Sequence, residues 1–250
     1  MNGRMNETVF WFLDLDDTIL DFHESERCSL IKTMAGYGRP VTPEEVRLYS
    51  RINIEHWQRM ERGEIDRFEV LRGRFEVFLK AIGRPDLPAQ TVCDVYEDGL
   101  AREGHRMPGA LEVLQTLTAQ PGNRLFAISN GTPSVQHSRL RLTGTEDFFE
   151  DVFISMDMGA EKPTKAFFDA VFARIPDVDP ARSVIVGDSL TSDIRGGANM
   201  GVRTVWFAAH RTPEEARAAL AASPIHPDRT VFSLEELPAA GREVLGLAQE

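Results

Sequence analysis

Short apolar runs, each followed at once by polar or glycine-rich residues, place the strongest constraint on the fold of this chain of 250 residues. The first run, Val9 to Leu13, leads into the acidic sequence LDLDDT, and others occupy residues 124–129, 183–188 and 202–208, with 152–155 a weaker candidate. Runs of this length between turn signals are typical of strands buried on both faces of a parallel sheet. The chain is therefore predicted to contain such a sheet.

Helical patterns separate these runs. The segment PTKAFFDAVFARI repeats apolar residues at helical spacing, and we expect Pro163 to occupy the first position of that helix. Two later helices are predicted by capping boxes, Thr212 with Glu215 and Ser233 with Glu236. Strands that alternate with helices in this way indicate an α/β fold built on a Rossmann-like, doubly wound parallel sheet.

One long segment departs from that alternation because it contains no convincing strand. A capping box at Thr42 and Glu45 predicts one helix, and an apolar stripe from Phe68 to Ile82 predicts another, whose apolar side chains are expected to form the segment's own core. The sequence therefore predicts a helical cap inserted after the first strand. The boundaries expected are residues 1–20 and 106–250 for the Rossmann-like core and 21–105 for the cap.

Composition excludes several classes of function. The chain has 28 Lys and Arg against 39 Asp and Glu, a formal charge of −11 that disfavours binding to a nucleic-acid polymer or an anionic membrane. Its two cysteines, Cys28 and Cys93, cannot form a disulfide framework and fit a reducing compartment. The first apolar run is too short for a signal peptide or a membrane span, so we expect a cytoplasmic protein. The oligomeric state has no signature in the sequence.

Polar residues cluster at the points where the predicted strands end. In an open parallel sheet ligands bind beyond the carboxyl ends of the strands, so these residues are expected to meet in one site. They are Asp14 and Asp16, Ser129 and Asn130, Lys162 at the start of the helix after residues 152–155, and Asp188 with Asp193.

The carboxylates among them predict a magnesium ion. Asp14 and Asp16 stand two residues apart and can lean towards one face of an extended chain. With Asp188 nearby, like charges would repel one another unless a cation lay between them. Hard oxygen ligands are what Mg²⁺ prefers.

The same residues can hydrolyse a small phosphate monoester. Asp14 would attack phosphorus and form an aspartyl-phosphate, and Asp16 would protonate the leaving oxygen and then take a proton from water. The hydroxyl of Ser129 and backbone N–H groups around Asn130 would hold phosphate oxygens. Lys162 would supply the balancing positive charge.

The motifs DLDDT, SNG, KP and GDSLTSD, in this order, resemble the four motifs of the haloacid dehalogenase-like hydrolase superfamily. The resemblance implies a Rossmann-like core with a first-type (C1) helical cap, Asp14 as nucleophile and Asp16 as acid and base. It also implies a metal bound by Asp14, the backbone carbonyl of Asp16 and Asp188, with Lys162 steadying the nucleophile and the phosphate. Asp193 and Thr18 are expected to support the site, and Asp17 stands where many members carry glycine.

A narrower resemblance concerns the substrate. The segments ISNGTPSVQHSRLRLTG, VFISMDMGAEKP, GDSLTSDIRGGANMG and LRGRFEVF are similar to the bacterial pyrimidine 5′-nucleotidases, which include enzymes that act on noncanonical pyrimidine nucleotides. This implies a nucleoside 5′-monophosphatase with a preference for pyrimidines. Phosphatases for phosphoglycolate or sugar phosphates share the four motifs and are the main alternative.

Two other classes of protein remain open. A dehalogenase uses the same scaffold, but dehalogenases of that type lack the second carboxylate that Asp16 provides. A receiver domain also combines acidic residues, a hydroxyl and a lysine with a phosphorylated aspartate. However, it places its acidic pair on the first strand and the phosphorylated residue on a later one, and it needs no helical cap.

Overall fold

A central parallel sheet organises the part of the chain, residues 8–247, that a computed structural model describes. Within those residues six strands form one sheet in the order β3-β2-β1-β4-β5-β6, with every neighbouring pair parallel. The strands are β1 (Val9–Leu13), β2 (Asn123–Ser129), β3 (Asp151–Ile154), β4 (Ser183–Gly187), β5 (Arg203–Phe207) and β6 (Arg229–Val231). All of the strands predicted from apolar runs are confirmed. The sequence analysis missed β6, which has three residues and opens with Arg and Thr.

Helices connect these strands, which confirms the α/β prediction. The α-helices of the described chain are α1 (Phe22–Gly36), α2 (Pro43–Glu61), α3 (Arg74–Ala81), α4 (Ala89–Leu100), α5 (Ala110–Ala119), α6 (Pro133–Thr143), α7 (Ser155–Met158), α8 (Lys165–Arg174), α9 (Arg195–Met200), α10 (Pro213–Ala222) and α11 (Leu237–Val244). Two π-helical segments, Glu69–Gly73 and Leu190–Ile194, lead directly into α3 and α9.

The local signals for helix starts were largely right. Capping boxes form at Thr42, Thr212 and Ser233 as predicted, the last of them opening a 3₁₀ turn that continues into α11. The expected start of α8 was wrong. Thr164 is its N-cap, and its hydroxyl accepts the N–H of Phe167, so Pro163 lies before the helix. A threonine side chain can satisfy an open N–H at a helix start, which the ring of proline cannot do.

The order of the strands determines where a ligand site can form. β1 lies at the centre between β2 and β4, and all five of its residues are buried. The chain moves from β1 to β2 and β3 on one side and then returns to β4 on the other side of β1. Doubly wound sheets bind their ligands at such a switch point, beyond the carboxyl ends of the strands. The residues that follow β1, β2 and β4 are therefore the relevant ones.

Aromatic side chains pack the sheet against its helices. Phe12 of β1 stacks on Phe126 of β2 with ring centroids 5.5 Å apart, and both belong to one buried cluster with Phe167 and Phe168 of α8. Trp11 points to the opposite face because side chains alternate along a strand. These two packed faces are what hold β1 in place.

The described chain divides into two compact units. The first contains the sheet and comprises the residues up to Asp21, Arg106–Pro133 and the residues from Thr143 onwards. The second is helical and comprises Phe22–His105 with Ser134–Leu142 of α6. The fold class, a Rossmann-like core with an inserted helical unit, agrees with the sequence. Residues 134–142 group with the helical unit, a feature to which no sequence signal pointed.

The helical unit has a core of its own, formed largely by aromatic rings. The ring of Tyr49 lies 5.1 Å from that of Phe75, 5.2 Å from Phe78 and 5.5 Å from Tyr96. The expectation that Phe68 joins this core was wrong, since 58% of it is exposed. The π-helix after Phe68 contains more residues per turn than an α-helix and shifts the apolar stripe out of register.

Helix length and charge bear on membrane association. Among residues 8–247 no helix is both long enough and apolar enough to cross a membrane. Even α2, with 19 residues, carries charged side chains along its whole length. The cytoplasmic location expected from the sequence stays a prediction.

We predict that Gly241→Ala destabilises the protein. A Cβ at Gly241 in α11 would lie 2.1 Å from Cη2 of Trp11, so either the helix or the indole ring must move. Overpacking of this kind lowers the free energy of unfolding by about 1–3 kcal/mol. Thermal unfolding followed by circular dichroism measures the effect.

The matched control is Gly36→Ala at the end of α1. A Cβ there meets no atom within 4 Å, and the residue does not have a positive φ. Its unfolding midpoint should equal or exceed that of the wild type. An unchanged midpoint for Gly241→Ala would contradict the close packing of α11 on β1.

Candidate active site

A tight loop after β1 fixes the first acidic residues of the site. The backbone N–H of Asp14 donates to the carbonyl of Val186 in β4 (2.9 Å), and the N–H groups of residues 18–20 all donate to the carbonyl of Leu15. Asp17 has a φ of 55°, in the left-handed region that favours glycine. Aspartate is one of the few other residues that adopt this conformation, so Asp17 is compatible with the turn of the loop.

The buried ammonium group of Lys162 is the centre of the site. Its Nζ donates to Oδ1 of Asp14 at 2.5 Å, to Oδ1 of Asp193 at 2.7 Å and to the backbone carbonyl of Ile128 at 3.0 Å. Only 2% of Lys162 is exposed. An ammonium group has three donors, and all of them are used here. The lysine therefore holds two carboxylates at fixed positions beside the end of β2.

Asn130 holds the segment that carries Lys162. Its side-chain Nδ2 donates to the carbonyl of Lys162 (2.9 Å), and its Oδ1 accepts the N–H of Lys162 (3.0 Å). Lys162 itself lies in the loop between α7 and α8, so the expectation that it starts a helix was wrong. The side chain of Asn130 thus positions the lysine, and the part of this segment in phosphate binding stays a prediction.

Asp193 depends on a glycine that the sequence analysis missed. The Oδ2 of Asp193 accepts the N–H of Ser189 at 3.2 Å, while its Oδ1 accepts from Lys162. A Cβ at Gly187 would lie 2.2 Å from Cγ of Asp193, so only glycine allows the carboxylate this close to the end of β4. The sequence signal was present, because Gly187 opens the motif GDSLTSD.

Three carboxylates form a group that could hold a metal ion. Asp14, Asp188 and Asp193 each present an oxygen, and these oxygens lie within 4.8 Å of one another. This set shares Asp14 and Asp188 with the predicted set and contains Asp193 in addition. Asp14 and Asp193 both already accept from Lys162, and Asp188 is the half-buried member of the group. Carboxylate oxygens of this kind suit Mg²⁺.

Because Asp14 and Lys162 are buried, the charge of each side chain depends on the charged groups beside it. Burial raises the pKa of Asp14 well above its ordinary value, Lys162 opposes that rise, and the neighbouring carboxylates of Asp193 and Asp16 add to it. Burial lowers the pKa of Lys162, but the attraction of Asp14 and Asp193 outweighs it, so that the net shift is upward. The lysine stays charged, and Asp14 needs that charge, or a cation, to be ionised.

The remaining predicted residues lie on the same strand ends. Ser129, the last residue of β2, is buried, and its Oγ accepts the N–H of Gly131 at 3.0 Å. The hydroxyl of Thr18 donates to Oδ2 of Asp14 at 3.5 Å, a long hydrogen bond. Asp16 follows β1 in the loop and is half-buried. The roles assigned to these side chains from the sequence stay predictions.

Comparison with known proteins gives a consistent result. Residues 12–201 match the sequence model of the family described as haloacid dehalogenase-like hydrolase. The chain is 37% identical over 195 residues to YfnB of Bacillus subtilis, a protein described as a HAD-hydrolase, which covers 78% of this chain and 81% of YfnB. A crystal structure of YfnB bound to magnesium superposes with a TM-score of 0.84 at 32% identity, covering 96% of this chain and all of that one.

Two relatives have names that state a substrate. The chain is 28% identical over 228 residues to the pyrimidine 5′-nucleotidase PynA of Streptococcus pneumoniae, across 91% of this chain and 92% of PynA. It is 29% identical over 226 residues to the pyrimidine 5′-nucleotidase YjjG of Escherichia coli, across 90% of this chain and 94% of YjjG. Both alignments extend over nearly the whole of each chain.

We predict that Lys162→Met makes the stability of the protein depend on pH. Without the ammonium group, the pKa of the buried Asp14 in the folded state rises further above its unfolded value of about 3.9. A raised folded pKa stabilises the protein below the unfolded value, and that contribution is lost as the pH rises through the folded value. Thermal unfolding in EDTA should show the deficit of the variant widening as the pH rises above the unfolded value, towards the ~3–5 kcal/mol typical of a broken buried pair.

Lys165→Met is the matched control. Lys165 lies three residues further on, is largely exposed and pairs with the exposed Asp169. Its removal should change the free energy of unfolding by less than about 1 kcal/mol, with the same deficit at every pH. A deficit of Lys162→Met that is constant with pH would show that the lysine does not control the charge of Asp14.

Proposed function

Because the chain belongs to the haloacid dehalogenase-like hydrolase family, we propose that it is a magnesium-dependent phosphomonoesterase that works through an aspartyl-phosphate on Asp14. The observation that carries this proposal is the pairing of Asp14 with buried Lys162 at the carboxyl end of the central strand. A carboxylate that is fixed beside a buried ammonium group, which favours its ionised form, is suited to act as a nucleophile.

The chemistry is divided between two carboxylates. An oxygen of Asp14 forms a bond to phosphorus while the bond from phosphorus to the ester oxygen breaks, and Asp16 gives its proton to the departing oxygen. Asp16 then takes a proton from water, whose oxygen bonds to phosphorus as the bond to Asp14 breaks. Inorganic phosphate leaves, and Asp14 returns to its starting state. The half-buried position of Asp16 leaves it accessible to water and to a leaving group.

Other groups of the site neutralise and orient the phosphoryl group. Lys162 is held by Asn130 and Ile128, so it supplies positive charge beside Asp14 without a change in conformation. The hydroxyl of Ser129 and the backbone N–H groups that follow it are the proposed donors to phosphate oxygens.

The carboxylates of Asp14 and Asp188 are the proposed direct ligands of Mg²⁺, with the backbone carbonyl of Asp16 as a third. Their fit rests on a donor set made entirely of hard oxygens that converge from two adjacent strand ends. When bound, the ion would offset the negative charge of the phosphoryl group and of the carboxylates. The crystal structure of the related YfnB with magnesium supports the choice of metal.

We further propose a nucleoside 5′-monophosphate, with a pyrimidine base preferred, as the substrate. The support is the near full-length similarity to PynA and YjjG, both named as pyrimidine 5′-nucleotidases. A small phosphate monoester also agrees with the net charge of −11, which disfavours polymeric nucleic acid.

We predict that Asp14→Asn abolishes phosphate release and keeps the fold, because it removes the nucleophile and one metal ligand at nearly constant volume. The assay measures phosphate from UMP, dUMP, dTMP, CMP, AMP, GMP, phosphoglycolate and hexose phosphates, with Mg²⁺ and with EDTA. Pyrimidine monophosphates should give the highest rates of phosphate release, and EDTA should abolish that release.

Asp17→Asn is the matched control. It removes a carboxylate three residues away, and asparagine tolerates the left-handed backbone at that position. Its rate should stay within a few-fold of the wild type. Metal-dependent release from sugar phosphates alone would keep the mechanism and refute the nucleotidase assignment, and full activity of Asp14→Asn would refute the mechanism.

We predict that Asp16→Asn separates the two chemical steps. Turnover of a nucleotide should fall by about 10²–10⁴, the usual contribution of an acid and base. With p-nitrophenyl phosphate, whose leaving group needs no proton, the first step should survive and the second should not. The variant should therefore release one nitrophenolate per enzyme in a burst. Mass spectrometry should then show that the protein has gained the mass of one phosphoryl group. The double variant with Asp14→Asn should show neither signal, and a linear, unchanged rate would exclude a role of Asp16 in the second step.

A further inference from the structure

A single peptide group after β4 is held from both of its ends. This peptide group joins Asp188 to Ser189. Its N–H donates to Oδ2 of Asp193 at 3.2 Å, and its carbonyl oxygen accepts a hydrogen bond from the indole Nε1 of Trp206 at 2.7 Å. A trans peptide group is planar, with its N–H and C=O pointing in opposite directions. The two hydrogen bonds therefore fix the orientation of that plane.

The fixed peptide plane holds the backbone from which Asp188 extends. The plane contains the Cα atom of Asp188, and Gly187 on the other side of that residue belongs to β4. Asp188 is therefore held on both sides along the chain. Its half-buried carboxylate is one of the three that could hold a metal ion. The hydrogen bond from the indole thus acts on the backbone of a proposed metal ligand.

The other end of the peptide group connects to the nucleophile. Asp193, which accepts the N–H of Ser189, also accepts a hydrogen bond from Lys162 at 2.7 Å. Lys162 in turn donates to Asp14. A continuous series of hydrogen bonds therefore leads from the indole of β5 to the carboxylate that follows β1.

Trp206 is itself held firmly in β5. Only 1% of it is exposed, and it belongs to a buried cluster with Ile194 of the π-helical segment and Ala216 of α10. The guanidinium carbon of Arg211 lies 5.8 Å from the centroid of its ring system. The N–H of an indole can only donate, so its direction is set once the ring is packed. A packed indole is therefore a rigid donor for the loop after β4.

A second buried tryptophan provides an internal comparison. Trp11 of β1 is also 1% exposed, and its Nε1 has no hydrogen-bond partner among residues 8–247. The fold therefore tolerates a buried indole whose N–H is unpaired. The hydrogen bond of Trp206 to the carbonyl of Asp188 is not a consequence of burial alone.

We propose that Trp206 is a positioning residue for the metal ligand Asp188. Its N–H holds the carbonyl of Asp188 and thereby sets the carboxylate of the same residue for Mg²⁺. This inference rests on the proposed function, because it requires Asp188 to bind the metal. It goes further by giving a residue of β5, outside the four motifs, a part in metal affinity. Groups that hold metal ligands in place typically contribute about 10–100-fold to metal affinity.

The test removes the N–H of Trp206 and keeps the shape of its ring. Benzothienylalanine is an isostere of tryptophan in which sulfur replaces the indole N–H, and amber suppression can place it at this residue in the full chain. Isothermal titration calorimetry of the metal-free protein with Mg²⁺, without substrate, measures the metal affinity. We expect that affinity to fall by about tenfold, the lower end of the range for groups that support a ligand. Wild-type affinity would overturn the positioning role and leave the metal site itself intact.

The same replacement at Trp11 is the matched control. It removes a buried N–H that has no partner, so the affinity for Mg²⁺ should equal that of the wild type and the unfolding midpoint should be unchanged or higher. An equal loss of affinity at both tryptophans would refute the hydrogen bond of Trp206 as the cause.

Asp188→Asn separates this inference from the proposed function. It removes the carboxylate charge of the proposed ligand, so Mg²⁺ binding should be lost in the same titration. Wild-type affinity in Asp188→Asn, or no binding by the wild type, would overturn the metal site and the inference with it. Loss of binding in Asp188→Asn together with wild-type affinity in the Trp206 isostere would overturn the inference alone.

Discussion

The ammonium group of Lys162 between Asp14 and Asp193 is the interaction on which the rest of the site depends. Removing three charges from water is costly unless each is paired and hydrogen-bonded. The fold meets this requirement through the carbonyl at the end of β2, the amide of Asn130 and the close approach that Gly187 allows. The pairing holds the carboxylate of Asp14 in place and favours its ionised form against the cost of burial.

The parallel sheet explains how residues so distant in sequence meet. Asp14 and Lys162 are 148 positions apart, and the carboxylate follows the central strand while the lysine is anchored at the end of β2. Because the site forms only when β1 is paired on both sides, the aromatic packing of Phe12 on Phe126 indirectly supports the chemistry. The site lies at the switch point of the sheet because β1, at the centre of the strand order, lies between β2 and β4.

The sequence predicted those features that have a local signature. Apolar runs indicated the buried strands, and side-chain caps indicated the starts of α2 and α10, because both signals lie within a few residues. The exposure of Phe68 was not predictable, since a π-helix leaves no periodic signal. The roles of Asn130 and Gly187 were not predicted. Asn130 holds the backbone of Lys162, which is 32 positions further along the chain. Gly187 makes room for Asp193, which lies beyond the end of the strand.

A buried polar network connects the helices of the helical unit. Arg74, directly after Gly73, donates to Oδ1 of Asn53 at 2.8 Å and to Glu97 at 2.6 Å, and Asn53 in turn donates to Glu26 at 2.7 Å. Burial raises the pKa of Glu26 above its ordinary value, with hydrogen bonds opposing the rise. The network joins α1, α2, α3 and α4. Because Arg74 is both charged and buried, these contacts offset part of the cost of removing its guanidinium group from water.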